Sequence, residues 1–196
     1  MPPKDNATYQ RILDAADRLF SERGYTSVTL KDIGEATSLR HASLYYYAPR
    51  GKEQLYVEVT ERSFQRHNAG VTEAIIGAGD DLRAQLHAAA RWFASQSPID
   101  LGRMVRSDML ALPAQEADRL MQACLAAIRT PIAAAIRNAA RKGLLTVHDA
   151  DFAAMGFVGL VQSVHNIPKV FLPTPEDLAQ AACRAADMLL DGWRVR

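Results

Sequence analysis

Between Thr29 and Lys52 the chain sets hydroxyls, phenols and cations at short helical spacing: Thr29, Arg40, His41, Ser43, Tyr45, Tyr46, Arg50 and Lys52. The chemistry open to such a set is recognition of a polyanion. A helix opening near Thr29 offers N–H groups that lack helical acceptors, together with partial positive charge, to a phosphate. Arg50 and Lys52, at the start of a later helix, can hold a second phosphate. Arg40, His41, Ser43, Tyr45 and Tyr46 share the short helix between them. From a major groove they can donate to base edges or to phosphates. The window from Arg40 to Lys52 holds three cations and no carboxylate, so it is locally basic in a chain whose formal net charge is only +1.

Other chemistries find little support. Two cysteines, Cys124 and Cys183, stand without metal-ligand spacing or companion histidines. They are expected to be buried thiols in a reducing compartment, and no metal or cofactor is expected. The chain shows no glycine-rich phosphate loop and no local nucleophile motif. The acid pairs Asp80-Asp81 and Glu176-Asp177 sit at helix starts, where capping accounts for them. A helical enzyme is therefore the disfavoured alternative. No apolar stretch comes after Met1-Pro2-Pro3-Lys4-Asp5, so no signal peptide is expected. No apolar run approaches the roughly 18–20 residues needed to span a bilayer, so a cytoplasmic location is expected.

The elements that must position these groups are helices. Apolar residues make up 48% of the 196 residues and recur at helical spacing, without β alternation. An all-α fold of about nine helices is predicted. The first helix runs from about Thr8 to Glu22, with Ile12, Ala15, Ala16, Leu19 and Phe20 inward, and Gly24 ends it. The second opens at about Thr29, with Asp32 three residues on as a capping partner; Leu30, Ile33 and Ala36 are expected to face inward. The third covers about Arg40 to Tyr46. A fourth runs from Lys52 to about His67, and Gly70, Gly77 and Gly79 punctuate the stretch beyond it. A fifth spans Asp81 to Ser95, and a short sixth lies between Asp100 and Leu112. The seventh is long, from Ala114 to Lys142, with a kink or break predicted at Pro131. The eighth runs from Asp149 to about Asn166. The ninth starts at the cap Thr174 and Pro175, and ends near Gly192.

Helix–turn–helix packing also occurs in proteins that bind no DNA, and a tyrosine run also serves packing. Resemblance favours the DNA-binding reading. Ile12-Leu13-Asp14-Ala15-Ala16, Leu19-Phe20-Ser21-Glu22-Arg23-Gly24-Tyr25, Thr29-Leu30-Lys31-Asp32-Ile33, Ser43-Leu44-Tyr45-Tyr46-Tyr47 and Lys52-Glu53-Gln54-Leu55 occur in that order. Together they resemble the N-terminal domain of the TetR family of transcriptional regulators. From about Leu101 to Gly143 the body resembles regulators of the AefR-like branch. The resemblance implies that Thr29 touches phosphate, that Ser43 and Tyr45 face the groove, and that Tyr46 and Lys52 hold the backbone. The turn departs from the family pattern: Ser38 stands where glycine is usual, Arg40 and His41 replace small polar and lysine residues, and Ala42 replaces a frequent glycine. Arg40 becomes the candidate for a guanine contact, an interaction worth about 1–3 kcal/mol of discrimination.

The expected organisation is a DNA-binding domain over 6–66 and a ligand-binding and dimerisation domain over 67–196. One short reading helix covers few base pairs, so a homodimer on a palindromic operator is expected. Gly156, Gly159 and Ser163 of the eighth helix, with Leu178, Ala182, Ala185, Leu189 and Trp193 of the ninth, are candidates for the interface, with an ordinary core as the alternative. Trp92, Phe93, Met104, Met109, Met121, Leu125, Phe157 and His165 are candidates for lining a small-molecule effector site, again against simple core packing. The function expected is a ligand-responsive repressor of operator DNA. A DNA-binding dimer without a sensor, or an activator, remains the alternative.

Overall fold

The computed structural model describes residues 7–193. Residue 6, the first of the expected DNA-binding domain, the Met1-to-Asp5 start and the side chain of His41 lie outside the described residues. The helices are α1 (Ala7–Arg23), α2 (Leu30–Thr37), α3 (His41–Tyr47), α4 (Lys52–Gly77), α5 (Leu82–Ser95), α6 (Leu101–Arg103), α7 (Ala114–Arg141), α8 (Ala150–Ser163) and α9 (Pro175–Trp193). A π turn (Met104–Asp108) and a 3-10 turn (Met109–Ala111) come after α6, and a second 3-10 turn (Val164–Asn166) comes after α8. Among the described residues there is no β-strand, so the all-α expectation holds. Two compact units are distinguished: residues 1–64 with 100–124, and residues 65–99 with 125–196.

In the first unit, α1 buries Tyr9, Ile12, Leu13, Ala15, Ala16, Leu19 and Phe20 along one stripe, as its periodicity requires. Ile33, Leu44 and Leu55 complete the centre at 0% exposure. Three α2 residues were expected inside, but Ala36 is exposed. Gly34 and Thr37 are buried in its place. The reason is local. Thr37 Oγ1 donates to Ile33 O (2.8 Å), which lets its hydroxyl be buried, and Gly34 lies so near the turn that a Cβ there would stand 3.0 Å from Leu39 O.

In the second unit, α5 and α9 pack on each other and α8 lies against both. Phe93, Phe157, Ile128, Ile132 and Ile136 are fully buried. Of the sequence expectations here, the end of the fourth helix near His67 and the break at Pro131 fail. Gly70 does not end α4, which continues to Gly77. It is instead a notch for an indole: a Cβ on Gly70 would fall 2.1 Å from the Trp92 ring. Nor does Pro131 break α7, which runs through it. Proline removes the N–H that would bond to Ala127 O. The Asn68 side chain supplies a replacement, Nδ2 donating to Ala127 O at 3.3 Å.

Candidate nucleic-acid interface

The interface is built on a turn whose geometry glycine would adopt at lowest cost. Ser38 takes φ 58°, ψ 31°, and is the non-glycine residue with positive φ among those described. Its N–H donates to Glu35 O (3.3 Å), and the Leu39 N–H donates to Gly34 O (2.9 Å). These bonds close the C-terminus of α2 and turn the chain directly into α3. The departure from the family's usual glycine is thus accommodated by a serine held in the left-handed region.

Thr29 is the N-cap of α2. Its N–H and Oγ1 both donate to Asp32 Oδ2, at 2.7 and 2.6 Å, and Oγ1 accepts the Asp32 N–H at 3.2 Å. The hydroxyl and amide donors of Thr29 hold the Asp32 carboxyl below its ordinary range. The Thr29 hydroxyl is therefore occupied within the cap. The donors that α2 offers outward are the first-turn amides, Leu30 and Lys31, which have no acceptor one turn back.

Arg40 is the N-cap of α3, extended at φ −70°, ψ 148°, exposed, and making no side-chain cap bond. Leu44 is fully buried and seats the helix, so the residues beside it point outward. Tyr45 and Tyr46 are 46% and 64% exposed, and Ser43 is half-buried. Tyr47 turns inward and stacks on Tyr9, with centroids 6.1 Å apart and planes 13° apart. The tyrosine run thus divides into two outward phenols and one structural ring.

The two cations after α3 are engaged within the chain. Arg50 lies 3.7 Å from Glu53 and 3.9 Å from Glu116, at the edge of ion pairing, and keeps an exposed side chain. Lys52 donates to Tyr25 O at 2.9 Å, and its ammonium stands 4.2 Å from the Tyr25 ring centroid. Burial of that ammonium lowers its pKa. Lys52 is a structural brace as well as a candidate phosphate ligand.

Sequence reasoning missed the groups that fix this head. Asp108, on the π turn, is 1% exposed. Its Oδ1 accepts the Tyr25 N–H (3.0 Å), and its Oδ2 accepts the Tyr56 phenol (3.4 Å). Arg103 Nε lies 3.5 Å from the same carboxylate, and its other nitrogens donate to Phe20 O and Ser21 O, closing the end of α1. Gly24, at φ 79°, leaves room for this: a Cβ there would be 3.1 Å from Arg103 Cδ. On the other side Tyr9 donates to Glu58 (2.8 Å), and Gln54 donates to both Tyr9 (3.4 Å) and Glu58 (3.0 Å). Burial and the Glu58 carboxylate push the Tyr9 phenol up to about 12. The usable signal was an acid just ahead of the apolar run Met109-Leu110-Ala111-Leu112.

The other candidate residues fall in both units. Met104, Met109 and Met121 belong to the first unit, and Trp92, Phe93, Leu125, Phe157 and His165 to the second. Phe93 and Phe157 are core residues at 0% exposure, and His165 Nε2 lies 3.2 Å from Phe93 O. Gly156, Gly159 and Ser163 lie on an exposed face of α8 with Phe152, which is 78% exposed. On α9, Leu178, Leu189 and Trp193 are half-buried, but Ala182 and Ala185 are covered within the chain itself. They pack on the face that α9 turns inward.

Among the described residues no helix is long and apolar enough to cross a membrane, and no cluster of three or more His, Cys, Asp or Glu could hold a metal. The three-helix head, its left-handed turn and its exposed third helix define a helix–turn–helix protein. The family model for bacterial regulatory proteins of the tetR family matches residues 12–59, and that for the AefR-like transcriptional repressor C-terminal domain matches residues 80–195. The chain belongs to the TetR family of bacterial regulatory proteins.

The chain is 43% identical over 54 residues to the biofilm operon icaADBC negative transcriptional regulator IcaR of Staphylococcus epidermidis, covering 28% of this chain and 29% of that one. It is 34% identical over 92 residues to the transcriptional repressor KstR2 of Rhodococcus jostii, covering 44% of each. The matches thus span less than half the length of these relatives. Among solved structures, the fatty acid degradation regulator FadR from Bacillus halodurans superposes with a TM-score of 0.74 at 20% identity, over 99% of this chain and 100% of that one. AibR, solved with isovaleryl coenzyme A and operator DNA, gives 0.71 at 20% identity, over 90% and 96%.

Proposed function

We propose that the chain represses transcription as a homodimer on a two-fold symmetric operator and is released by a small, largely apolar effector in the cytoplasm. The observation that carries the DNA half is the exposed α3 face. Arg40, Ser43, Tyr45 and Tyr46 project from a helix seated by buried Leu44 and preceded by the left-handed Ser38. In this reading Arg40 reads a base, and Tyr46, Arg50 and the first-turn amides of α2 hold phosphates. Residues 6–66 form the DNA-binding domain, and residues 67–196 form the sensor and dimer domain.

Dimerisation is supported by the exposed α8 face of Phe152, Gly156, Gly159 and Ser163, where two glycines permit close helix approach. The effector half is supported by buried polar atoms of the second unit that lack partners in the chain: Trp92 Nε1, His67 Nδ1 and both amide atoms of Gln162. Buried polar groups are rarely left unpaired, and a bound molecule would satisfy them. The similar fold of AibR was solved with an acyl coenzyme A and operator DNA, which supports the same two partner classes here.

Selection of bound sequences from random duplex DNA tests the reading. A two-fold symmetric motif with half-sites one helical turn or a multiple apart is the expected result. An asymmetric motif, or a clean monomer by light scattering that still binds the selected site, would overturn the dimer.

A further inference from the structure

We propose that the groove beside Pro131 in the second unit binds a small neutral molecule with an apolar body and a hydrogen-bond donor. The proposal stands apart from the regulator reading, because none of the eight candidate sensor residues lines this groove. It has a volume of about 430 Å³, within the range of small-molecule sites. Its two long walls are rows of α4 and α7. Asn68, Thr72 and Ile76 recur at intervals of four on α4, as do Thr130, Ala134 and Asn138 on α7. Eight residues of helix make the groove about 12 Å long, the length of one ring with a short substituent at each end.

The chemistry of the lining selects the ligand. The polar side chains are Asn68, Thr72, Gln85, Thr130 and Asn138, and no formal charge is among them. A charged ligand would find no counter-charge among these residues. Ile75, Ile76, Pro131 and Ala134 supply the apolar surface, and Ile76 stands 73% exposed. Two carboxamides are oriented by their own bonds. Asn68 spends an N–H on the Ala127 carbonyl that Pro131 leaves without its helical donor, and Gln85 Nε2 donates to Gly79 O at 2.5 Å. Held through nitrogen, each amide turns its oxygen into an acceptor, which favours an N–H or O–H donor on the ligand. The proline therefore has a consequence beyond the helix: it fixes Asn68 at one end of the groove.

The test uses acetanilide as the neutral probe, with benzoate and benzylamine as charged controls of similar size. The full chain carries labelled isoleucine methyls. Acetanilide is expected to shift the Ile75 and Ile76 signals saturably, with at least tenfold weaker binding in Ala134→Trp and in Thr130→Trp. Both substitutions fill the groove from exposed positions, and thermal unfolding checks that each variant is folded. Benzoate and benzylamine are expected to leave both signals unmoved. The proposal is overturned by any of three results: no saturable shift up to the solubility of acetanilide, shifts that persist unchanged in the folded filling variants, or equal response to the charged controls.

Discussion

His67 makes the second unit sensitive to acid. It lies on α4 at 1% exposure, its ring stacked on Phe93 with centroids 5.9 Å apart and planes at 20°. Burial first, and the neighbouring Arg66 cation second, lower its pKa from 6.5 to about 4. The unfolded chain then binds the imidazole proton more tightly than the folded one. Stability is fully present above about pH 6.5 and declines as the pH falls towards 4. The decline between pH 7 and pH 5 comes to about 2 kcal/mol, and below pH 4 to about 3 kcal/mol. The control is His67→Leu, which keeps an apolar side chain of similar size, removes the titration and loses no partner at Nδ1, which has none. Urea unfolding of both proteins at pH 7 and pH 5 measures the difference. The parent is expected to lose about 2 kcal/mol more than the variant over that interval. Equal losses would refute the claim that His67 is buried uncharged.

The head gives further outcomes to measure. Arg40→Ala is expected to lower affinity for the selected operator by about 1–3 kcal/mol while leaving random duplex little changed, read by competition binding. Lys52→Ala is expected to weaken all duplexes alike and also to lower the thermal midpoint, because its ammonium braces Tyr25; an unchanged midpoint would remove the bracing role. Asp108→Ala leaves the Tyr25 N–H without its buried acceptor and Arg103 without its carboxylate, at a cost of about 2–4 kcal/mol in urea unfolding. A loss under about 0.5 kcal/mol would show that water replaces the carboxylate. Ser38→Gly relieves the left-handed conformation, with a net gain of about 0.5 kcal/mol after the added freedom of the unfolded chain. The thermal midpoint should rise by about 1–2 °C, and a fall would argue that the Ser38 side chain matters more than its backbone.

The local elements were legible because their causes are local. Thr29 with Asp32, Asp81, Asp149 and Thr174 with Pro175 each announce a helix start, and each caps one in the structure. The apolar stripe of α1 was written in its 3.6-residue period, and the strained serine of the turn could be expected from its place where glycine is usual. Those short-range rules were enough to expose the reading helix.

What the sequence alone could not settle was which partner each residue meets at long range. Gly70 and Pro131 look like helix breakers by propensity, yet both lie within unbroken helices. One receives the Trp92 ring, and the other is relieved by Asn68 from α4. Asp108 could not be paired with Tyr25 before the fold placed them 3.0 Å apart across 83 residues. Ala182 and Ala185 sit on a regular apolar stripe, but periodicity says only that a stripe is covered, not whether the cover is the chain itself or another copy. Hydrogen bonding and packing across the tertiary fold decided these cases, because the free energy at stake there outweighs the local preference of a single residue.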